Sequence, residues 1–501
     1  MRAPFTRSIA VCLVAAALAG APVPALAQQG APSANAQPIT PEERAQGAAA
    51  NNDIISEYGG AYTGAQFPYV ERIGRRIALQ SGLSADPGAF TVTILDSPIE
   101  NAFAIPGGYI YVTRGLLALM NDEAELAGVL GHEVGHVAAR HSRSRQRVAQ
   151  RNAILGTLGQ VLLGAVTNNS GLGQLLGQGV STGAQLLTLG YSRGQETEAD
   201  NLGIRYLNSA RYDTDALSSM LADLAASTRL AQQMSGQTRS VPAWASTHPD
   251  PDKRVRAALA QAQATGGTAF PRNRDAYLNA INGMIYGDNP EQGVIEGQDF
   301  LYPAQRLAFT APGGFRMNNG ASAVTITGQG GQAEFSTAPY SGDLNAYVNA
   351  VFVALAGNNG QNAQNARPPA GEAVRGTING YTTATRTVRA NTNNGQADIT
   401  VVAYAIAPTR AFHFVLITAA GQGMGPFGSM VQSLRPLTAA QATAVKPRYL
   451  RIVTVRAGDT IQSLSARMAY TDFQQDRFMT LNGLDAGATV KPGDKVKIVT
   501  Y

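Results

Sequence analysis

The chain has 501 residues, 44% of them apolar and 15% charged, enough hydrophobic material for two or three cores and too much for a disordered protein. The formal charge of +5 falls to about +3 without Arg2 and Arg7, and no basic block carries interleaved aromatics, so nucleic acid is excluded as a partner. Cys12 is the one cysteine, which excludes an internal disulfide and a zinc site built on thiolates.

In chain order, residues 1–27 read as an export signal. Arg2 and Arg7 are basic, 8–21 is a short apolar run, and "ALA" at 25–27 is a small-x-small cleavage pattern. The expected location is the periplasm or cell envelope, an oxidising compartment. Residues 28–44 are assigned as a linker, rich in Gln, Ala and Pro, although Thr40-Pro41-Glu42-Glu43 already has the form of a helix start. Residues 45–285 make the first folded unit. Within it "FTVTILDS" (90–97) alternates like a strand, and a second strand over Tyr109–Thr113 follows a Pro-Gly-Gly turn. A helix is predicted over 121–141, capped by Asn121 or Asp122, with Asp122 and Glu125 spaced as a capping box.

Residues 143–190 start basic and become apolar and Gly-rich; they read as two amphipathic helices that pack or act as a lid, the alternative being peripheral contact with a membrane surface. Residues 296–440 are strand-like with one helix, an antiparallel α+β domain carrying a Gly/Asn/Pro-rich insert at 356–373. Residues 438–447 read as a linker to a small terminal unit, 448–501. The whole is therefore multidomain.

The chemistry begins at "GHEVGH". His132 and His136 stand one helical turn apart, so both imidazoles can reach one Zn²⁺. Glu133 lies about 100° round from His132 and suits a general base that takes a proton from water and passes it to a leaving amine. His141, five residues beyond His136, falls on another face of that helix and is given no ligand role. A catalytic zinc needs a third protein ligand. The segment 191–207 offers Glu196 and Asp200, four apart on one face: one can bind the metal while the other receives the N–H of a liganding His. Ala104, Gly107, Gly108 and Tyr109 belong either to a structural hairpin or to a strand that pairs with extended substrate, the glycines permitting close approach.

Four motifs in order, "NAFAIPGGYIYVTRGLL", "GHEVGHVAARH", "SRGQETEADNLG" and "STHPDPDKRV", resemble the HtpX, CAAX prenyl protease and BepA-like zinc metallopeptidases over roughly residues 45–260. The resemblance implies a mainly α-helical gluzincin protease domain with a small β-sheet, one Zn²⁺, Glu196 as third ligand and Asp200 beside it. It also raises His248, followed by a rigid turn at Pro249 and Pro251 that can aim it into the cleft, as an oxyanion stabiliser or a fourth ligand that must leave. Arg193 and Arg254 are candidates for ordering the nearby carboxylates. Residues 448–501 resemble a LysM domain, β-α-α-β, which implies peptidoglycan as a partner. The expected function is a zinc metalloendopeptidase of the bacterial envelope acting on misfolded or misassembled proteins. The alternatives are a peptidoglycan hydrolase and a wall-binding scaffold with a silent site.

Overall fold

The computed structural model describes residues 36–142, 191–235, Trp244, His248, 251–357, 371–392 and 395–501. The export signal, the predicted helices within 143–190 and most of the insert at 356–373 lie outside the described residues.

Helix α1 (Pro41–Glu57) starts where Thr40 Oγ1 accepts the Glu43 N–H and the Glu43 carboxylate accepts the Thr40 N–H at 3.0 Å. The linker assigned to 28–44 therefore gives up its last four residues to a capped helix. Helix α2 (Phe67–Ala78) buries Val70, Ile73 and Ile77 on one stripe. Strands β1 (Thr91–Leu95), β2 (Ala102–Ile105) and β3 (Tyr109–Thr113) form a sheet in the order β1-β3-β2, β1 running parallel and β2 antiparallel to β3. β2 is the first arm of the hairpin that is one of the two alternatives for Ala104–Tyr109, though the sequence marks no strand at its position. All four of its residues are buried, so no polar alternation marks it: Ala102 and Ala104 join the main core, while Phe103 and Ile105 pack with Ala50 and Ile54 of α1.

After the short α3 (Arg114–Leu119), α4 (Glu123–Ala138) runs through the middle of the unit, with every residue from Glu123 to His136 buried. Asp122 caps it, its carboxylate accepting the Glu125 N–H at 2.9 Å. The box is offset from the predicted one, because the Glu125 carboxylate accepts the Asn121 N–H. Helices α5 (Arg193–Ser209), α6 (Ala216–Ser235), α7 (Pro251–Thr265) and α8 (Arg274–Ile281) complete the unit. Glycines let α4 and α5 approach: a Cβ on Gly203 would lie 3.1 Å from the His132 amide nitrogen, and one on Gly135 would lie 3.1 Å from Leu202 Cβ.

The sheet-rich region begins with β4 (Ile285–Tyr286), β5 (Val294–Glu296), β6 (Asp299–Tyr302) and β7 (Leu307–Thr310). It continues through β8 (Arg316–Asn319), β9 (Ala323–Gly328), β10 (Gly331–Thr337), α9 (Leu344–Gly357), β11 (Val374–Ile378), β12 (Tyr381–Thr392), β13 (Gly395–Ala407) and β14 (Arg410–Ala419). A seven-stranded antiparallel sheet, β11-β12-β13-β14-β10-β9-β8, packs α9 on one face. Its other face meets α10 (Gly428–Ser433) and a four-stranded sheet in which β15 (Arg435–Pro436) joins β7, β6 and β5.

The predicted linker 438–447 contains α11 (Ala439–Ala444), opened by a Thr438–Gln441 capping box. The terminal unit is β16 (Arg448–Thr454), α12 (Ile461–Ser465), α13 (Gln474–Leu481) and β17 (Lys495–Thr500), the anticipated β-α-α-β order. It is not merely tethered. β4 pairs with β16 as a third strand, and one core cluster runs from Val70 to Val499 across both units. Lys497 is fully buried, and its ammonium donates to the carbonyls of Ala118, Leu119 and Met120 at 2.7–2.9 Å, capping α3 from the far end of the chain.

Glu100 lies at the same junction, in a small cavity with Arg477 and Thr480 of α13. Burial pushes its carboxyl up to about 7, against the hydrogen bonds donated by Ser227 at 2.7 and 2.9 Å. The folded protein thus holds a proton that the unfolded chain releases near 4.5. That stability is complete below pH about 4.5 and is lost as pH rises through about 7, an effect of roughly 3 kcal/mol at most. Thermal melts at pH 5 and pH 8 should show Glu100→Gln to lose less stability over this interval than the parent. Superimposable pH profiles would contradict the assignment.

Candidate metal centre

The centre is assembled by α4 and α5 together with His248. α4 presents His132, Glu133 and His136, none more than 1% exposed. α5 begins at a Ser192–Gln195 capping box, and its buried stripe of Ala199, Leu202 and Leu207 turns Glu196 and Asp200 inward. His132 Nε2 and His136 Nε2 lie 3.0 Å apart. The Glu196 carboxylate is 3.4 Å from His136 Nε2 and 3.7 Å from His132 Nε2. His248 Nδ1 is 3.0 Å from Glu196 and 3.3 Å from His132 Nε2. One ligand atom from each of these four residues falls within 4.8 Å of the others.

These distances suit a metal ion. A tetrahedral Zn²⁺ with bonds of about 2.0–2.1 Å sets its ligand atoms roughly 3.3 Å apart. Charge fits as well. His132 Nδ1 is 2.9 Å from Asp200, so its proton sits there and its Nε2 turns a lone pair toward His136. Burial holds His248 down to about 4, against the raising effect of Glu196, and lowers His136 well below the usual imidazole range, leaving both neutral. Neutral imidazoles and carboxylates are the forms that bind metal. The carboxylates of Glu196 and Asp200, with Glu133 beside them, outweigh the one guanidinium of Arg254, a surplus of negative charge that suits a divalent cation.

Around this cluster Arg254 of α7 grips Asp200, Nε to Oδ2 at 2.8 Å and Nη2 to Oδ1 at 2.5 Å, while Nη1 reaches Glu196. Burial alone would raise Asp200; the hydrogen bonds from Arg254 and His132 outweigh it and hold the carboxyl below its ordinary range. Burial would raise Glu196 too, but the imidazoles of His248, His136 and His132 hold it far below. Trp244 stacks on His248 with centroids 4.7 Å apart, and Tyr191 stacks on His136 at 3.6 Å. Glu133 Oε1 lies 3.6 Å from His248 Nε2.

Three expectations need correction. Arg193 is exposed at the first turn of α5, while among the described ion pairs it is Arg254 that holds Glu196 and Asp200. His141 is not on the α4 helix, which ends at Ala138; Arg140 turns back with φ 53°. His141 Nδ1 thereby comes within 2.8 Å of His136 Nδ1, and its Nε2 within 3.3 Å of Glu198. It is the outer partner of His136, a role that helical-face reasoning missed. Finally, the close approach at the Gly-Gly turn is to the chain itself. A Cβ on Gly107 would meet the Glu43 carbonyl at 2.6 Å, and one on Gly108 the Ala89 carbonyl at 2.4 Å. Tyr109 packs against Gly47 of α1, and Ala104 is buried on β2, the edge strand of its sheet.

Residues 64–262 match the sequence profile of Peptidase family M48, and residues 453–499 match that of the LysM domain. Among curated proteins, the chain is 32% identical over 210 residues to mitochondrial metalloendopeptidase OMA1 of Schizosaccharomyces pombe, covering 41% of this chain and 57% of that protein. It is 32% identical over 190 residues to the beta-barrel assembly-enhancing protease of Yersinia pestis, covering 37% of each. It is 31% identical over 174 residues to human OMA1, covering 33% of this chain and 31% of that protein. The matches thus span between about a third and three fifths of these relatives.

Proposed function

We propose, from the premise that residues 64–262 are a peptidase family M48 domain, that the protein is a zinc-dependent endopeptidase of the cell envelope. The observation that carries this reading is the convergence of His132, His136 and Glu196, with Glu133 one residue from the first of them. These three residues would hold Zn²⁺, which when bound supplies Lewis-acid activation of water and of the scissile carbonyl. The protein's own groups do the rest. Asp200 fixes the tautomer of His132, and Arg254 fixes Asp200. Glu133, inside a site walled by Trp244 and Tyr191, takes the proton of the attacking water and returns it to the departing amide nitrogen. His248, close to both Glu196 and His132, suits a fourth ligand that withdraws before turnover. β2 remains the edge along which extended substrate would lie.

Misassembled or misfolded envelope proteins are the proposed substrates. Two relatives support an envelope setting by their printed name, and residues 1–27 support export. The LysM unit would bring peptidoglycan within reach, which also keeps a cell-wall hydrolase as the second reading. The deciding experiment is digestion of unfolded casein and of purified sacculi by the same preparation. Casein cleavage should stop with 1,10-phenanthroline and return with added Zn²⁺. Muropeptide release without casein cleavage would reverse the order, and chelator-resistant cleavage would end the metallopeptidase reading.

A further inference from the structure

The four-stranded sheet has two different faces. Phe300, Leu307 and Phe309 point into the core shared with the seven-stranded sheet. The opposite face carries Leu301, Ala308 and Arg435 in one cross-strand row, since Leu301 pairs with Ala308 and Ala308 with Arg435. That face is roofed by α11, by Val445 and Lys446 after it and by Tyr501, and the roof does not close on it. A cavity of about 500 Å³ remains between them. Leu301, Leu437 and Val445 give it an apolar floor, and the exposed ring of Tyr501 stands at its rim.

The charges there do not balance. Glu296, the one acidic group lining the cavity, is already within 3.5 Å of Arg448. Arg448 is itself fixed in place, its guanidinium 5.2 Å from the Tyr470 ring and 5.5 Å from the Tyr501 ring. Arg435 and Lys446 also line the cavity, and neither makes an ion pair among the described residues. A half-buried arginine and a lysine thus face an apolar-floored space with no counter-charge of their own. The volume lies within the range of ordinary ligand sites.

We propose that this seam is a docking groove for an acidic peptide segment, one that seats an apolar side chain on Leu301 and Val445 and presents carboxylates to Arg435 and Lys446. The guanidinium fork favours a planar carboxylate. An apolar floor favours a peptide side chain over a polyhydroxylated chain. None of its residues belongs to the metal cluster, so the inference goes beyond the proposed peptidase chemistry and stands apart from it.

The test is fluorescence anisotropy with the full-length chain in EDTA and a short labelled peptide of alternating Asp/Glu and Leu/Val. Recovery of the intact peptide by mass spectrometry separates binding from any cleavage. Saturable binding is expected, with the Asn/Gln counterpart at least about tenfold weaker. Arg435→Gln, at a half-buried position, and Lys446→Gln, at an exposed one, should each weaken binding about five- to tenfold with unchanged circular dichroism. Lys491→Gln, exposed and outside the groove, should leave it unaltered. Equal binding of the neutral peptide overturns the proposal. So does insensitivity to both groove variants, an equal loss with Lys491→Gln, or displacement of the peptide by a chito-oligosaccharide.

Discussion

Glu133→Gln is expected to lower peptide hydrolysis by about 10³-fold or more while leaving metal content unchanged. The side chain is fully buried on α4 between two histidines whose nitrogens converge, and its Oε1 lies 3.6 Å from His248 Nε2. Glutamine keeps the shape and cannot hold a proton as carboxylate does. Losing a positioned general base costs about 10²–10⁴-fold. KM should change little, because Glu133 acts on the water rather than on the peptide. The check is kcat on a fluorogenic peptide together with metal analysis of the same sample. A variant within tenfold of the parent would remove Glu133 from the mechanism, and one that has lost its metal would recast it as a structural group.

The parts of the molecule that are legible in sequence are those whose signal is local. His132 and His136 stand one turn apart on one helix, with Glu133 about 100° round, and Glu196 and Asp200 one turn apart on another, so periodicity alone brings each pair to one face. The order of units, helical, then sheet-rich, then β-α-α-β, follows from shifts in composition and period that need no distant contact. What is not legible depends on contacts far apart in sequence. β2 is covered on both faces and so carries no alternation. His141 reaches His136 only because the backbone reverses at Arg140. Gly107 and Gly108 announce a close approach without saying to what, and the answer is the carbonyls of Glu43 and Ala89. Nothing in "KPGDKVKIV" marks Lys497 as buried, yet its three donors are spent on carbonyls 377 to 379 residues away. The junction between the helical unit and the terminal β-α-α-β unit is thus a product of tertiary contacts, and this is why the seam groove has no motif.

Arg254 offers the second large effect, because it is the permanent cation among three buried carboxylates. Arg254→Met keeps the volume and leaves Glu196 and Asp200 without their guanidinium. Stranding buried charges by removing a partner costs about 3–5 kcal/mol. The metal-free variant should therefore unfold at clearly lower denaturant than the metal-free parent. A bound divalent cation restores much of the missing charge, so the gain in stability on adding Zn²⁺ should be larger in the variant than in the parent. Arg254→Lys is expected to recover only part of the metal-free stability, since an ammonium supplies the charge but not the paired contacts at 2.8 and 2.5 Å that hold Asp200 against His132. Denaturant titrations of all three proteins, with EDTA and with Zn²⁺, measure these differences directly. If Zn²⁺ stabilises parent and variant equally, the carboxylates have neutralised themselves by taking up protons, and charge balance is not what Arg254 contributes. If the lysine variant matches the parent, the fork geometry is dispensable and Asp200 needs only a positive neighbour.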